Sequence, residues 1–460
     1  MIRVFNHYLH RRTLLQIFFD LGLIVFAVVG IVLLKVDGPA LAVPLATTHG
    51  LSLAACMFVI NSASGFYQPS HNRSLNQSVA RAVLALLLAL PLAYGIFSFL
   101  PSSVNGQEAI KLAAMTLVAA VMVHRVYAAH ASSKSKAGTQ ILIFGSGAVA
   151  SLVGQTLKGA DPHANIVGYF PGPNEEHAEV PLAQVLNDQA SLIDTAIKHG
   201  VDEIVVALSE RRGGSMPLRQ LLDCKINGIR VVDIATYFEK TLGQIKVSHV
   251  NAGWLIFGDG FNQGAFRTFG KRVFDVLCSL LMIVMTAPLM LITAIAIRLE
   301  SRGPVLYRQE RVGLNNTTFN VIKFRSMRTD AEKDGKPRWA AANDDRVTRI
   351  GNFIRKVRID ELPQLFNVLK GEMSLVGPRP ERPYFVDELT REIPYYAVRH
   401  SVKPGVTGWA QVRYQYGSTM EDSIEKLQYD LYYVKNHTLF LDLVVMFETV
   451  AVVLTGKGAR

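Results

Sequence analysis

The sequence predicts a membrane α-helical bundle of four spans followed by two α/β domains, the second with a further apolar helix of its own. Three observations predict it. Apolar residues are concentrated in long runs within the first 130 residues. Strand and helix patterns alternate after residue 138. The last 200 residues combine one more apolar run with recurrent basic clusters.

The four spans are read first. Leu14–Leu34, Leu45–Tyr67, Val79–Leu100 and Ala109–Tyr127 are apolar runs approaching the roughly 20 residues a bilayer requires. Arg3, Arg11 and Arg12 precede the first, Arg73 and Arg81 separate the second from the third, and Arg125, Lys134 and Lys136 end the fourth. The other loops hold little that is basic beyond Lys35 and Lys111, so the positive-inside rule puts the N-terminus and the chain after the fourth span in the cytoplasm. No small-residue cleavage site follows the first run, so a removed signal peptide is not expected. Half of the 460 residues are hydrophobic and 18% are charged, which excludes a disordered chain. Cys56, Cys224 and Cys278 are too scattered for a disulfide framework or a zinc ribbon.

Ala131–Gly138 is polar and reads as a linker. Strands are then expected at Gln140–Gly145, Asn165–Phe170, Asp202–Leu208 and Ile229–Ile234, with helices at Ala148–Lys158, Ser191–His199 and Leu218–Asn227. That alternation predicts a doubly wound parallel sheet, a Rossmann-like domain over 138–260. Its loop, Gly145-Ser146-Gly147-Ala148-Val149-Ala150, fits G-x-G-x-x-A. The second strand ends on Tyr169-Phe170-Pro171-Gly172 without a carboxylate, and no Tyr-x-x-x-Lys follows. A structural or nucleotide-sensing domain is therefore expected rather than a nicotinamide enzyme.

The fifth run, Val276–Ile297, is flanked by Lys271 and Arg272 before and by Arg298 and Arg302 after. Basic residues on both sides favour two cytoplasmic ends. Pro288 removes one helical hydrogen bond in mid-run. A re-entrant hairpin over about 271–299, bent at Ala287-Pro288, satisfies both facts; an ordinary kinked span is the alternative.

Residues 261–460 hold 29 Lys/Arg against 21 Asp/Glu, so they carry +8 of the net +11. Arg308–Arg311, Lys323–Arg325, Arg346–Arg349, Arg355–Arg358 and Pro378–Pro380 are clusters suited to phosphate. Stacking aromatics are sparse among them, so nucleic acid is not expected and a small substrate or a lipid is. Val347, Ile350, Ile354 and Val357 recur at helical spacing, as in a basic amphipathic helix at a membrane surface. In Ile359-Asp360-Glu361-Leu362-Pro363, Asp360 is read as a helix N-cap, with Gly371 ending that helix. An ionised carboxylate among phosphate-binding cations can attack phosphorus, with magnesium to offset the charge.

KRVFDV at Lys271, GPVLYRQERVG at Gly303, FNVIKFRSM at Phe319, RIDELPQLFNVLKGEMSLVGPRP at Arg358, KPGVTGWAQV at Lys403 and LQYDLYYVKN at Leu427 resemble the bacterial sugar transferases, the polyprenyl-phosphate phosphoglycosyl transferases. The four spans and Rossmann-like domain resemble the family's long polytopic members. The C-terminal residues resemble the subgroup associated with exopolysaccharide and PEP-CTERM sorting systems. The resemblance implies three domains: a four-helix membrane domain over 1–130, a Rossmann-like cytoplasmic domain over 138–260, and an α/β-type monotopic catalytic domain over 265–460 with a re-entrant membrane helix. It implies that Asp360 attacks the sugar-linked phosphate of a UDP-sugar, releases UMP, and passes the phosphosugar to undecaprenyl phosphate. Glucose or a related hexose is the implied sugar. Asp360 and Glu361 are the implied catalytic pair and magnesium ligands. Gln309, Arg311, Lys323, Arg325, Arg355, Arg379 and Arg399 are the implied phosphate-binding or pocket-shaping residues. Ala287-Pro288 stands where the family carries Ser-Pro, and Arg358-Ile359 where it carries Ser-Leu. The implied partners are the donor, the acceptor lipid and the bilayer of a bacterial inner membrane, with catalysis facing the cytoplasm; a homodimer stays open. A Rossmann-type oxidoreductase or dehydratase of sugar nucleotides and an inert membrane scaffold are the rival readings.

Overall fold

The computed structural model describes residues 2–4, 7–9, 11–35, 39–63, 75–99, 107–131, 139–160, 164–173, 175, 179–186, 191–208, 216–250, 260–261, 264–328, 346–414, 417 and 419–455. They fall into two compact units that part between Gly243 and Gln244, with residues 2–8 grouped in the second. Residues 132–138 of the expected linker, and residues 262–263 of the expected junction between 260 and 265, lie outside the described residues.

The helices α1 (Arg11–Lys35) and α4 (Gln107–Ala131) cover the first and fourth apolar runs, and α2 (Pro39–Ala63) and α3 (Leu75–Ser98) cover the second and third as far as Ala63 and Ser98. Their shared core takes Val28 and Val32 from α1, Leu53 and Met57 from α2, Ala85, Ala89 and Ala93 from α3, and Ala114 and Val118 from α4. The alanine stripe on α3 lets backbones approach closely, as dispersion packing between apolar helices requires. Phe18, Phe26, Leu87 and Leu112 point outward, which is stable where the surroundings are lipid. Leu14–Leu33 and Val43–Asn61 are long and apolar enough to cross a membrane, whereas the apolar stretches Ala85–Ser98 and Ile110–Val123 are shorter.

In the same unit, β3 (Thr139–Phe144), β4 (Ala164–Phe170), β5 (Glu203–Val206) and β6 (Arg230–Asp233) form an all-parallel sheet in the order β4-β3-β5-β6. Ile141, Ile143 and Val205 face α5 (Ala148–Ala160) and α8 (Ile234–Leu242). Leu142, Phe144, Ile204 and Val206 face α6 (Leu192–Lys198) and α7 (Leu218–Ile226). Alternate residues thus bury opposite faces, which is why these strands read as continuous apolar runs. A short sheet of β1 (Ile2–Val4) and β2 (His7–Leu9) precedes α1.

The second unit is organised on α9 (Ala265–Glu300), a single helix with Pro288 inside it. No turn separates two arms at Ala287-Pro288, so a return of the chain rests on a bend within this one helix. The Thr286 hydroxyl bonds the Met282 carbonyl, supplementing the backbone ladder beside the proline. Strands β7 (Leu306–Val312) and β8 (Thr318–Phe324) form an antiparallel hairpin. Then come α10 (Arg349–Lys356), α11 (Gln364–Lys370), β9 (Ser374–Val376), α12 (Pro383–Glu392), β10 (Gly405–Thr407), α13 (Trp409–Arg413), α14 (Met420–Asn436) and α15 (Leu439–Thr455). β9 pairs in parallel with β10. Leu365, Val368, Trp409, Leu431, Tyr432, Tyr433 and Val445 form the main core.

Helix α9 is tied to this body at both ends. Arg272 donates to the Val368 and Leu369 carbonyls at 2.6 and 2.7 Å, so a cation closes the C-terminus of α11. Asp275 accepts from the Leu375 N–H at 3.2 Å, and Lys271 pairs with buried Asp442 at 2.7 Å. Near the other end, Met290, Ala294 and Ile297 pack with Phe324, Ile350 and Ile354. The apolar face of α10 therefore packs on α9, where the amphipathic pattern had suggested a membrane surface; Phe353 on its other side is exposed.

Candidate active site

The hairpin builds one wall of a cavity of about 640 Å³. Side chains alternate along a strand, so Tyr307, Gln309 and Arg311 of β7 all face it, and Lys323, opposite Tyr307 in the register, joins them from β8. Arg325, Arg355, Arg379 and Arg399 also line it, as does Asp360. The structure thus gathers Gln309, Arg311, Lys323, Arg325, Arg355, Arg379 and Arg399 around Asp360. Ala287 and Pro288 lie within α9 and do not line it. Eleven Lys/Arg and three Asp/Glu side chains line the cavity among the described residues, an excess that favours an anionic guest.

Asp360 and Glu361 sit in a 3-10 turn, Ile359–Glu361, between α10 and α11. Arg358 enters that turn in the left-handed region at φ 61°, a conformation a non-glycine residue holds at some cost. The capping expectation is corrected here: Pro363 occupies the N-cap of α11, so Asp360 lies three residues too early and caps nothing. Gly371 does end α11, in the left-handed region at φ 88°.

The two carboxylates have different surroundings. Glu361 Oε1 accepts from Lys323 Nζ at 3.0 Å and Arg379 Nη2 at 2.7 Å. Burial pushes its pKa up, but Arg379 and Lys323 prevail and hold the carboxyl well below the usual range. Burial of Lys323 pushes the ammonium down against the pull of Glu361. Asp360 is 8% exposed, and its Oδ1 is buried with no hydrogen-bond partner. Burial, with the Glu361 charge beside it, pushes Asp360 up to about 6 against Lys323, Arg379 and Arg355. Glu361 is anchored by two cations; Asp360 lines a cationic cavity with one oxygen, Oδ1, left unpartnered. Unpaired buried polar atoms are rare and mark sites where a ligand completes the bonding.

Several cavity cations are already engaged. Arg325 donates to the Ser301 and Arg302 carbonyls and the Ser301 hydroxyl at 2.8–3.1 Å, closing the end of α9. Arg399 pairs with Asp430 at 2.8 Å, bonds the Tyr396 hydroxyl at 2.6 Å, and donates to the Arg379 carbonyl at 2.9 Å. Arg399 thereby positions the backbone of Arg379. Arg311 bonds Gln309 at 2.6 Å and the Pro380 carbonyl at 3.1 Å. Sequence reasoning named no role for Asp430 and Lys426, which line the far wall from α14. Burial pushes Asp430 up to about 6 despite Arg399, and pushes the Lys426 ammonium down. The LQYD segment at Leu427 was the sequence signal for that wall.

Among the described residues no three His, Cys, Asp or Glu side chains converge to cage a metal. Magnesium is commonly held by one or two carboxylates with substrate phosphates completing its shell, and the unpartnered Asp360 Oδ1 fits that mode.

The glycine loop of the first unit differs. Gly145 has φ 134°, and a Cβ there would stand 2.6 Å from the Ala207 carbonyl oxygen, so the loop needs glycine. Its donors point at an internal carboxylate: Glu175 Oε2 accepts from the N–H groups of Ser146 and Gly172 at 2.5 and 3.2 Å and from the Ser146 hydroxyl at 3.1 Å.

Comparison with known proteins bears on the second unit. Residues 266–456 match the family described as bacterial sugar transferase. The chain is 46% identical over 242 residues to the UDP-N-acetylgalactosamine-undecaprenyl-phosphate N-acetylgalactosaminephosphotransferase of Aeromonas hydrophila, covering 53% of this chain and 56% of that one. It is 44% identical to the UDP-glucose:undecaprenyl-phosphate glucose-1-phosphate transferase of Caulobacter vibrioides, covering 41% of this chain and 71% of that one. It is 43% identical to the exopolysaccharide production protein PSS of Rhizobium leguminosarum bv. phaseoli, covering 41% of this chain and 97% of that one. The match thus spans about half the length of the Aeromonas protein and nearly all of the Rhizobium one. The matched stretch contains the whole cavity, the hairpin and the Asp360–Glu361 turn; by that match this chain belongs to the bacterial sugar transferase family.

Proposed function

We propose that this chain moves a sugar-1-phosphate from a UDP-sugar to undecaprenyl phosphate through a covalent phosphosugar-aspartate. The observation that carries the reading is Asp360: a cavity-facing carboxylate with a buried, unpartnered oxygen, surrounded by Lys323, Arg355 and Arg379. In the first step an Asp360 oxygen attacks the sugar-linked phosphorus. The bond from that phosphorus to the bridging oxygen breaks, and UMP leaves with the electron pair. In the second step a phosphate oxygen of the polyprenyl phosphate attacks the same phosphorus and returns the carboxylate. The products are UMP and the polyprenyl-diphosphate-linked sugar, the first intermediate of an exopolysaccharide or related glycoconjugate.

The chain's residues divide the work. Lys323 and Arg379 hold Glu361 ionised, and Glu361 in turn holds those cations beside the diphosphate. Arg355 adds charge from the end of α10. Arg399 acts through Arg379 by fixing its backbone. Asp360, with the remaining oxygen of Glu361 and the donor's phosphates, would hold magnesium, which when bound offsets the negative charge of attacker and target. The relatives named above use N-acetylgalactosamine and glucose donors, so the donor proposed here is a UDP-hexose, glucose or a related sugar.

The membrane arrangement is part of the reading. Helices α1–α4 span, and α9 enters and leaves by the same leaflet, bending at Pro288. Basic residues at both ends of α9 and the packing of both ends on one body support this. The catalytic unit then faces the cytoplasm, where UDP-sugars are found. The parallel-sheet domain serves assembly or regulation, since the Ser146 donors of its loop are already taken by Glu175.

The test is intact-protein mass after incubating the full chain with UDP-glucose or UDP-N-acetylgalactosamine and no acceptor. A phosphosugar increment that maps to Asp360 is expected, discharged on adding undecaprenyl phosphate. UMP release that requires both substrates together, with no adduct, would overturn the covalent scheme.

A further inference from the structure

The β7–β8 hairpin has a second face. Gln309, Arg311 and Lys323 point into the cavity just described, while Arg308, Asn320 and Ile322 line a separate groove of about 550 Å³ behind it. Lys370, Gly371, Glu372 and Lys403 complete that groove. Gly371 stands beside two cations: a Cβ there would be 3.4 Å from Arg272 Nη2 and 3.6 Å from Lys403 Nζ. Among the described residues the side chains of Arg308, Lys370 and Lys403 make no hydrogen bond or ion pair. The one carboxylate in the lining, Glu372, accepts from Asn367 Nδ2 at 2.7 Å.

Burial pushes the Lys403 ammonium down, and the Arg272 and Lys271 charges add to this against the pull of Asp275, so two further cations stand near it. The repulsion among these cations is relieved by an anion. The groove also adjoins the membrane helix. Arg272 stands about one turn before Val276, where the apolar run of α9 begins. A group resting on Lys370 and Lys403 is therefore near the height of lipid headgroups.

We propose that this groove is a second anion site, separate from the Asp360 cavity, that takes a phosphate group at Arg308, Lys370 and Lys403. The phosphate can come from an anionic phospholipid headgroup or from free inorganic phosphate. The site stands independently of the transferase reading, because none of its side chains lines the Asp360 cavity.

The test uses the full chain in neutral detergent. Retention of phosphatidylglycerol and of phosphatidylcholine is counted by native mass spectrometry, and inorganic phosphate is titrated calorimetrically. Wild type should hold phosphatidylglycerol over phosphatidylcholine by at least about tenfold. The triple variant Arg308→Gln, Lys370→Gln, Lys403→Gln should lose that preference. Lys370→Arg with Lys403→Arg should keep it, as should a distant charge control, Lys158→Gln, Arg219→Gln, Lys225→Gln. Phosphate binding with the same dependence on the triple variant, and no lipid preference, would assign the site to free phosphate. Should the triple variant fail to fold, the exposed pair Arg308→Gln and Lys370→Gln gives the same reading. Wild type that binds neither lipid nor phosphate selectively, or substituted protein that binds both as well as wild type, would overturn the proposal.

Discussion

The glycine loop of the first unit and the Asp360 cavity of the second both carry groups suited to an anion, and they are finished differently. At the glycine loop the donors of Ser146 and Gly172 converge on Glu175, so the anion they require is supplied by the chain itself. At the Asp360 cavity the cations outnumber the carboxylates, and the carboxylate facing the opening has an oxygen that nothing in the protein satisfies. The first site is closed electrostatically and can be structural. The second is left incomplete at a cost in stability, which is the usual trade at a site that must bind and react.

The largest expected effect comes from removing the open carboxylate. Asp360→Asn should lower sugar-phosphate transfer on the order of a thousandfold or more and abolish the mass increment. Because Asp360 caps no helix, folding should survive. It should even improve. A carboxyl whose folded pKa is raised to about 6 from an ordinary 3.8 contributes stability that is present below pH 3.8 and lost as pH rises through 6. Asn removes that loss, so the thermal midpoint at pH 7 should rise by about 2–4 °C. An unchanged midpoint would mean that Asp360 is not strained by its burial.

Disabling the closed carboxylate of the pair comes next. Glu361→Gln leaves the half-buried Lys323 and Arg379 without their counter-charge, a loss of about 1–3 kcal/mol. Both the denaturation midpoint and turnover should fall. The pH dependence separates the two carboxylates further. Transfer by wild type should rise with pH through about 6 as Asp360 ionises. In Glu361→Gln the residual activity should keep rising only to a lower pH, because the neighbouring negative charge that raises Asp360 is gone. An acid limb that stays at 6 would assign it to another group, Asp430 being the first candidate.

The smallest effect belongs to the glycine loop. Glu175→Gln weakens the internal contact, yet transfer in the full chain should change less than about twofold, because the loop takes no part in the chemistry. A large loss of UMP release would break the contrast and give the parallel-sheet domain a direct role.

Much of this was legible in the sequence, for reasons that differ by element. The sheet announced itself because strands buried on both faces have to be apolar throughout, and Gly145 because the loop leaves no room for a side chain at Ala207. The Asp360–Glu361 pair stood out by its basic surroundings. The capping role did not survive, since a 3-10 turn and an N-cap proline push Asp360 out of the helix, and local pattern carries no trace of that shift. The left-handed Arg358 was unreadable because only glycine advertises that conformation. Glu175 was missed because it lies beyond Pro171-Gly172, past the strand end where an acidic residue is sought. The far wall, Asp430 and Lys426, lies some seventy residues after the dyad, and its approach to Arg399 is set by tertiary packing.

The grip of Arg272 on the last carbonyls of α11 has a geometric consequence. Helix α11 is seven residues long, about 10 Å, and its other end follows Asp360 by four residues. A residue at the edge of the apolar run is thus pinned to one end of a short rigid rod whose opposite end begins four residues after Asp360. The rod works as a spacer. It fixes the stand-off between Asp360 and the edge of the apolar run, and under the proposed function a phosphate tethered to a lipid chain would meet the carboxylate without its tail leaving the hydrocarbon.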